Sequence, residues 1–157
     1  MKDKRACIFY FLMTIILLDF GNQLRSISYY SSINAIHNPI FSITHANNTG
    51  SAFSLFQNNA KILALFGILV IAFVAIQIFK NITFQDKTQL LSLTLFSAGT
   101  LGNIIERIRF GYVVDYIKLD FIDFPVFNAF DIMICIGIFL YCIYIFSENK
   151  KGKNENS

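Results

Sequence analysis

Tryptophan is absent from this chain, and its 157 residues include only 2 prolines and 3 cysteines. Without tryptophan, an aromatic belt at a membrane interface has to come from the 7 tyrosines and 18 phenylalanines. Scarce proline and the lack of a long polar stretch leave no room for a linker and a separate soluble domain. The cysteines, Cys7, Cys135 and Cys142, fall in apolar runs, where a thiol behaves as a small apolar side chain. Cys135 and Cys142 are two helical turns apart, too far for a bridge within one helix. Charge is also scarce, at 15% of residues against 55% hydrophobic, with a mean hydropathy of +0.54. That balance excludes an ordinary soluble domain and points to one compact membrane domain over residues 1–157.

Apolar runs near the roughly 20 residues that cross hydrocarbon as a helix occur at about 6–24, 60–79, 89–107 and 127–146. The fold class expected is an all-α polytopic membrane protein with four transmembrane helices and a small extracytoplasmic β-cradle. Thr94, Ser97, Thr100 and Asn103 interrupt the third run, while Gly99 and Gly102 keep one of its faces small, as close helix packing requires. Lys2, Lys4 and Arg5 precede the first run as in a secretory signal, but no small-x-small cleavage pattern follows, so it reads as a retained anchor. Basic residues set the orientation. Those three, Lys80 and Lys87 between runs two and three, and Lys150, Lys151 and Lys153 in the tail make eight of the 13. Both termini are therefore expected on the cytoplasmic side of the membrane, with residues 147–157 as a polar, mobile tail.

The opposite side receives residues 25–59 and 108–126. Within the first, IFSITHA and SAFSLF alternate around Asn47-Asn48-Thr49-Gly50, a hairpin signal spanning Pro39 to Phe56. In the second, Tyr112-Val113-Val114 and Tyr116-Ile117 have strand character, so a small sheet is expected there. His37 and His45 fall in the outer loop outside any ligand spacing and read as solvated, giving no metal and no cofactor. Ser51 and Ser54 lack a nucleophile context. Carboxylates remain.

Taken singly, each acid has a plain structural reading. Asn128-x-x-Asp131 suits a helix N-cap with an acid at the positive helix end. Asp115, like Asp120 and Asp123, suits an interfacial loop, Asp19 suits snorkelling, and Glu106 suits pairing with Arg107 or Arg109. Taken together, Asp19, Asn48, Asn103, Arg107, Asp115, Asn128 and Asp131 all map to the outer ends of runs or the outer loops. Independent caps do not require that coincidence, and carboxylates at a membrane edge are costly.

The ordered motifs resemble those of bacterial lipoprotein signal peptidase, the type II signal peptidase, from Asp19 to about Ile134. NNTGSAF at 47–53 is similar to an NxGxAF turn, GTLGNIIERIRFGYVVDYI at 99–117 to a signature ending in a catalytic aspartate, and PVFNAFD at 125–131 to the block holding the second. The resemblance implies an aspartic endopeptidase whose catalytic pair is Asp115 and Asp131. It cuts diacylglyceryl-modified prolipoproteins before the lipid-bearing cysteine, and its partners are those substrates and membrane lipids, with a monomer favoured. Supporting residues implied by the resemblance are Asp19, Asn48, Gly50, Gly99, Asn103, Glu106, Arg107 and Asn128. Two carboxyls brought close in a low dielectric share one proton, so one can activate water while the other donates to the scissile carbonyl.

Three departures stand out. The chain has Asp19-Phe20 with Gln23 where the family has Asp-Gln followed by Lys, Glu106-Arg107 where Asp-Arg is usual, and Phe130 where alanine precedes the second aspartate. They keep open an inactive or specialised paralogue. A small transporter or assembly factor using the acids as an ion path is the alternative from a different class.

Overall fold

The computed structural model describes residues 4–33, 39–50, 58–80 and 86–155. Their order is α1 (Lys4–Ile33), β1 (Phe41–Asn48), α2 (Ala60–Lys80), α3 (Lys87–Phe110), β2 (Val113–Leu119) and α4 (Ala129–Glu155). Three described helices contain stretches long and apolar enough to cross a membrane, Ala6–Tyr29, Ala60–Ile78 and Ala129–Lys150. Their outward faces carry large apolar side chains, among them Phe9, Leu12 and Ile16 on α1, Phe66, Leu69 and Phe73 on α2, and Phe139 and Phe146 on α4. In water such continuous patches would drive association, whereas against lipid they are the ordinary surface.

The third helix is the inverse of the others. It touches α1, α2 and α4, and it buries Gln89, Ser92, Thr94, Ser97, Asn103 and Glu106. Polar groups withdrawn from lipid are therefore gathered where neighbouring helices can bond them, as when the Tyr10 hydroxyl donates to Ser97 Oγ at 2.7 Å. Asp86 caps its start, accepting from Thr88 N at 2.7 Å and Gln89 N at 3.1 Å. Gly111 ends it at φ +80°, with its N–H donating to the Arg107 carbonyl at 3.0 Å. Only glycine takes that left-handed backbone without strain. Gly99 and Gly102 do face a close neighbour. A Cβ at Gly99 would lie 2.8 Å from Ile134 Cγ1, and one at Gly102 would lie 2.6 Å from Phe130 Cγ.

The strands form a two-stranded antiparallel sheet, with Phe41 opposite Leu119, Ala46 opposite Asp115 and Asn48 opposite Val113, and a bulge between Ile43 and Ala46. β2 is the strand expected at Tyr112–Ile117, and β1 is the first arm of the expected hairpin. The second arm, SAFSLF, lies outside the described residues, as does His37. His45 is exposed on β1 rather than in a loop, its ring edge-on to Tyr29 at 5.7 Å.

Several expected boundaries need correction. α1 runs to Ile33 instead of 24, so the connection assigned to 25–59 begins after the helix has continued for more than two further turns. Buried Gly21 and Ser28, with Arg25 partly buried between them, recur at helical spacing and extend its packed face. α3 likewise extends to Phe110, and α4 begins at Ala129 and continues to Glu155. The tail from residue 147 is thus helical through 155, since lysine and glutamate are adequate helix formers and no proline intervenes.

Candidate active site

Asp115 is the third residue of β2, and its side chain is buried, 3% exposed. Asn48 stands at the end of β1, two residues beyond the position paired with Asp115 and therefore on the same sheet face. Its Nδ2 donates to Asp115 Oδ2 at 2.8 Å, while its Oδ1 accepts from the Gly50 N–H at 2.9 Å. Asp115 Oδ1 accepts from Asn128 Nδ2, also at 2.8 Å. Burial, with a smaller push from the charge of Asp131, raises the Asp115 carboxyl to about 6 against the lowering effect of the Asn48 and Asn128 amides and the Arg107 charge.

Asp131 lies in the first turn of α4. Asn128 forms the cap, its Oδ1 accepting from the N–H groups of Phe130 at 2.7 Å and Asp131 at 3.1 Å, while Asp131 Oδ2 accepts from the Asn128 N–H at 3.1 Å. The plain capping reading is thus correct, and it does not compete with the paired reading. The other oxygen, Asp131 Oδ1, accepts from Asn103 Nδ2 on α3 at 2.8 Å. Asn128 Nδ2 also donates to Asn103 Oδ1 at 3.3 Å. Two bonded amides therefore bridge the two carboxylates, and each oxygen of the pair retains lone-pair capacity for water or substrate.

Arg107, one turn after Asn103, donates from Nη2 to the Gly50 carbonyl at 2.9 Å and from Nη1 to the Asn103 carbonyl at 3.3 Å. Gly50 is thereby held by both Asn48 and Arg107. Glu106 is buried, 2% exposed. It pairs with neither Arg107 nor Arg109, the partners its plain reading suggested. Its Oε2 accepts from the Val114 N–H at 2.8 Å, and its Oε1 faces Arg25 Nε at 3.5 Å. The acid thus tethers β2, one residue before Asp115, to α3. Gly99 contributes close packing under Phe130 and Ile134. Asp19 is exposed on α1 and accepts from Gln23 Nε2 one helical turn on, at 2.7 Å.

Arg25 and Tyr116 were missed from sequence. Arg25 sits 5.0 Å from the Phe110 ring centroid as well as against Glu106. Its helical spacing from Gly21 and Ser28 was the available signal. The Tyr116 hydroxyl accepts from the Ala129 N–H at 3.1 Å, joining β2 to the start of α4. No residue pattern announced that contact, because it depends on where two distant elements meet.

The model of the signal peptidase II family matches residues 11–147. A lipoprotein signal peptidase of Streptococcus agalactiae is 41% identical over 115 residues, covering 73% of this chain and 74% of that protein. One from Dehalococcoides mccartyi is 40% identical over 116 residues, 71% of each. A solved bacterial membrane enzyme shares the fold, with a TM-score of 0.79 at 22% identity over 91% of this chain and 90% of the other. With Asn103 and Asn128 bridging the buried Asp115 and the partly buried Asp131, and the match running through all the elements that carry them, the chain belongs to the signal peptidase II family of multi-pass membrane proteins.

Proposed function

We propose that this protein is an aspartic endopeptidase that removes signal peptides from diacylglyceryl-modified prolipoproteins, cutting before the lipid-bearing cysteine. Family membership supports the substrate class. The observation that carries the catalytic type is the pair Asp115 and Asp131 joined through Asn103 and Asn128. The pair holds one proton near neutral pH. Its ionised member takes a proton from water, and its protonated member donates to the scissile carbonyl as the tetrahedral oxyanion forms. Collapse returns a proton to the leaving amine, so no covalent intermediate arises. Asn48, Gly50 and Arg107 line the approach, where the guanidinium and the Asn48 amide can meet the substrate backbone. In this reading Asp19 supports the site from α1, where Gln23 holds its carboxylate.

The same reading makes α3 a fourth membrane crossing. Its 24 residues rise about 36 Å, enough for a hydrocarbon core of about 30 Å. Residues 1–157 then form one peptidase domain of the inner membrane, active as a monomer, with both termini cytoplasmic and the aspartates toward the outer leaflet. A groove of about 450 Å³ between α2 and α3, lined by Ala64, Leu65, Ile68 and Ile108 together with the charged Lys61 and Arg107, offers a largely apolar bed for a substrate acyl chain. Cleavage of a lipidated precursor by Asp115→Asn and Asp131→Asn variants is the test. Both are expected to lose at least about a hundredfold in kcat, the scale of losing a general acid or base. Full activity in either variant refutes the pair.

A further inference from the structure

Phe130 immediately precedes Asp131, and it is 2% exposed in a cluster with Ala98 and Met133. Two glycines from two different helices wall its ring. A Cβ added at Gly21 on α1 would lie 2.6 Å from Phe130 Cζ, and one at Gly102 on α3 would lie 2.6 Å from Phe130 Cγ. Carbon atoms do not tolerate such approach, so the notch exists only while both positions are glycine. The backbone at the same residue is held as well. Its N–H donates to Asn128 Oδ1 at 2.7 Å, and its carbonyl packs directly on Gly99.

We propose that Phe130 is a positioning residue of this peptidase. Its ring, seated in the notch between Gly21 and Gly102, sets the height and rotation of the first turn of α4 against α3, and so keeps Asp131 Oδ1 on Asn103 Nδ2. The inference rests on the reading of Asp131 as a catalytic residue. Asp115 is delivered by β2 and held from β1 by Asn48, and its own bond to the start of α4 is the Asn128 amide at 2.8 Å, so a shift of α4 displaces it less than Asp131, which α4 carries. An empty notch therefore changes the relation between the two carboxylates while Arg107 and Gly50, bonded to each other at 2.9 Å and carried by α3 and the bend after β1, stay in place. The loss falls on kcat and not on KM.

The experiment uses the full chain in detergent with a diacylglyceryl-modified prolipoprotein. Phe130→Ala is expected to lower kcat by about tenfold to a hundredfold, the cost of misplacing a reacting group by about 1 Å, with KM within about twofold of the parent. Gly102→Ala alone forces a methyl into the ring and is expected to lose activity to a similar degree. In Phe130→Ala/Gly102→Ala the methyl enters vacated space, so the double variant is expected to be no worse than Phe130→Ala. Parental kcat in Phe130→Ala, a change in KM alone, or losses that multiply in the double variant overturn the proposal. Phe130→Leu, which keeps apolar bulk without the ring, is judged by the same kcat and KM criteria if the alanine variant does not accumulate. Asp131→Asn runs in parallel, and parental turnover there refutes the carboxylate pair itself instead of the role of Phe130.

Discussion

Replacing Asn128 with Asp separates two jobs done by one side chain. The capping oxygen, which accepts from Phe130 N at 2.7 Å and Asp131 N at 3.1 Å, is kept, and aspartate caps helices as well as asparagine does. The other end of the side chain changes sign. The amide nitrogen that donates to Asp115 Oδ1 at 2.8 Å and to Asn103 Oδ1 at 3.3 Å becomes an oxygen facing two acceptors. A hydrogen bond to a charged group contributes about 1.5–3 kcal/mol, and 1.36 kcal/mol corresponds to one pKa unit. The Asp115 ionisation, at about 6 in the parent, is therefore expected to rise by roughly one to two units. The added carboxylate pushes in the same direction. At neutral pH kcat/KM should fall by about tenfold to a hundredfold, recovering in part at alkaline pH as Asp115 ionises. The pH profile with a lipidated precursor measures this, and thermal unfolding in the same detergent checks the cap. Asn128→Ala is the contrast, since it also removes the cap at about 1 kcal/mol and should lower Tm as well. An Asn128→Asp enzyme with the parental rate and profile would refute the assigned hydrogen bonds.

Two further outcomes follow from the same geometry. Glu106→Ala should destabilise the fold by about 2–3 kcal/mol, because the Val114 N–H loses a charged acceptor and Arg25 Nε, already without a hydrogen-bond partner, loses its counter-charge. Glu106→Asp shortens the reach by about 1.5 Å and should give intermediate Tm and kcat; parental values for the alanine variant would show that the tether is idle. For Asp115, burial raises the folded value from 3.8 to about 6. The folded protein therefore binds that proton more tightly than the unfolded chain between those values. Asp115 costs stability above pH 6, and the cost is relieved as pH falls toward 4. Unfolding midpoints measured across that window should show a shallower slope in Asp115→Asn than in the parent, and an unchanged slope refutes the burial argument.

Much of the frame was legible in the chain because membrane-facing helices announce themselves by length and apolarity. α2 was located to within a residue at each end for that reason. α3 was harder, since its work is to bury polar groups, and a helix that is polar inside and touches three neighbours looks interrupted in sequence. The convergence of Asp115, Asp131, Asn48, Asn103, Asn128 and Arg107 followed from their shared end of the fold. Their pairings did not, because they depend on strand register and cap geometry. Asp19 illustrates the same point, since nothing in the sequence announced that its carboxylate accepts from Gln23 one turn along α1. Phe130 shows the converse. A bulky residue in a motif looked disruptive because its compensating glycine, Gly21, lies more than a hundred residues away in sequence.

The turn at Gly111 has a consequence for how this chain can change length. Only Gly111 and Tyr112 separate the end of α3 from the start of β2, and a Cβ at Gly111 would touch nothing within 4 Å, so backbone angle alone selects the glycine. Side chains alternate across a strand, so one inserted residue here would turn Asp115 from the buried face to the opposite one while leaving every motif intact. The number of residues between Glu106 and Asp115 is thus as much a part of the site as the residues themselves. Insertions and deletions would be filtered out of this connector even where substitutions pass.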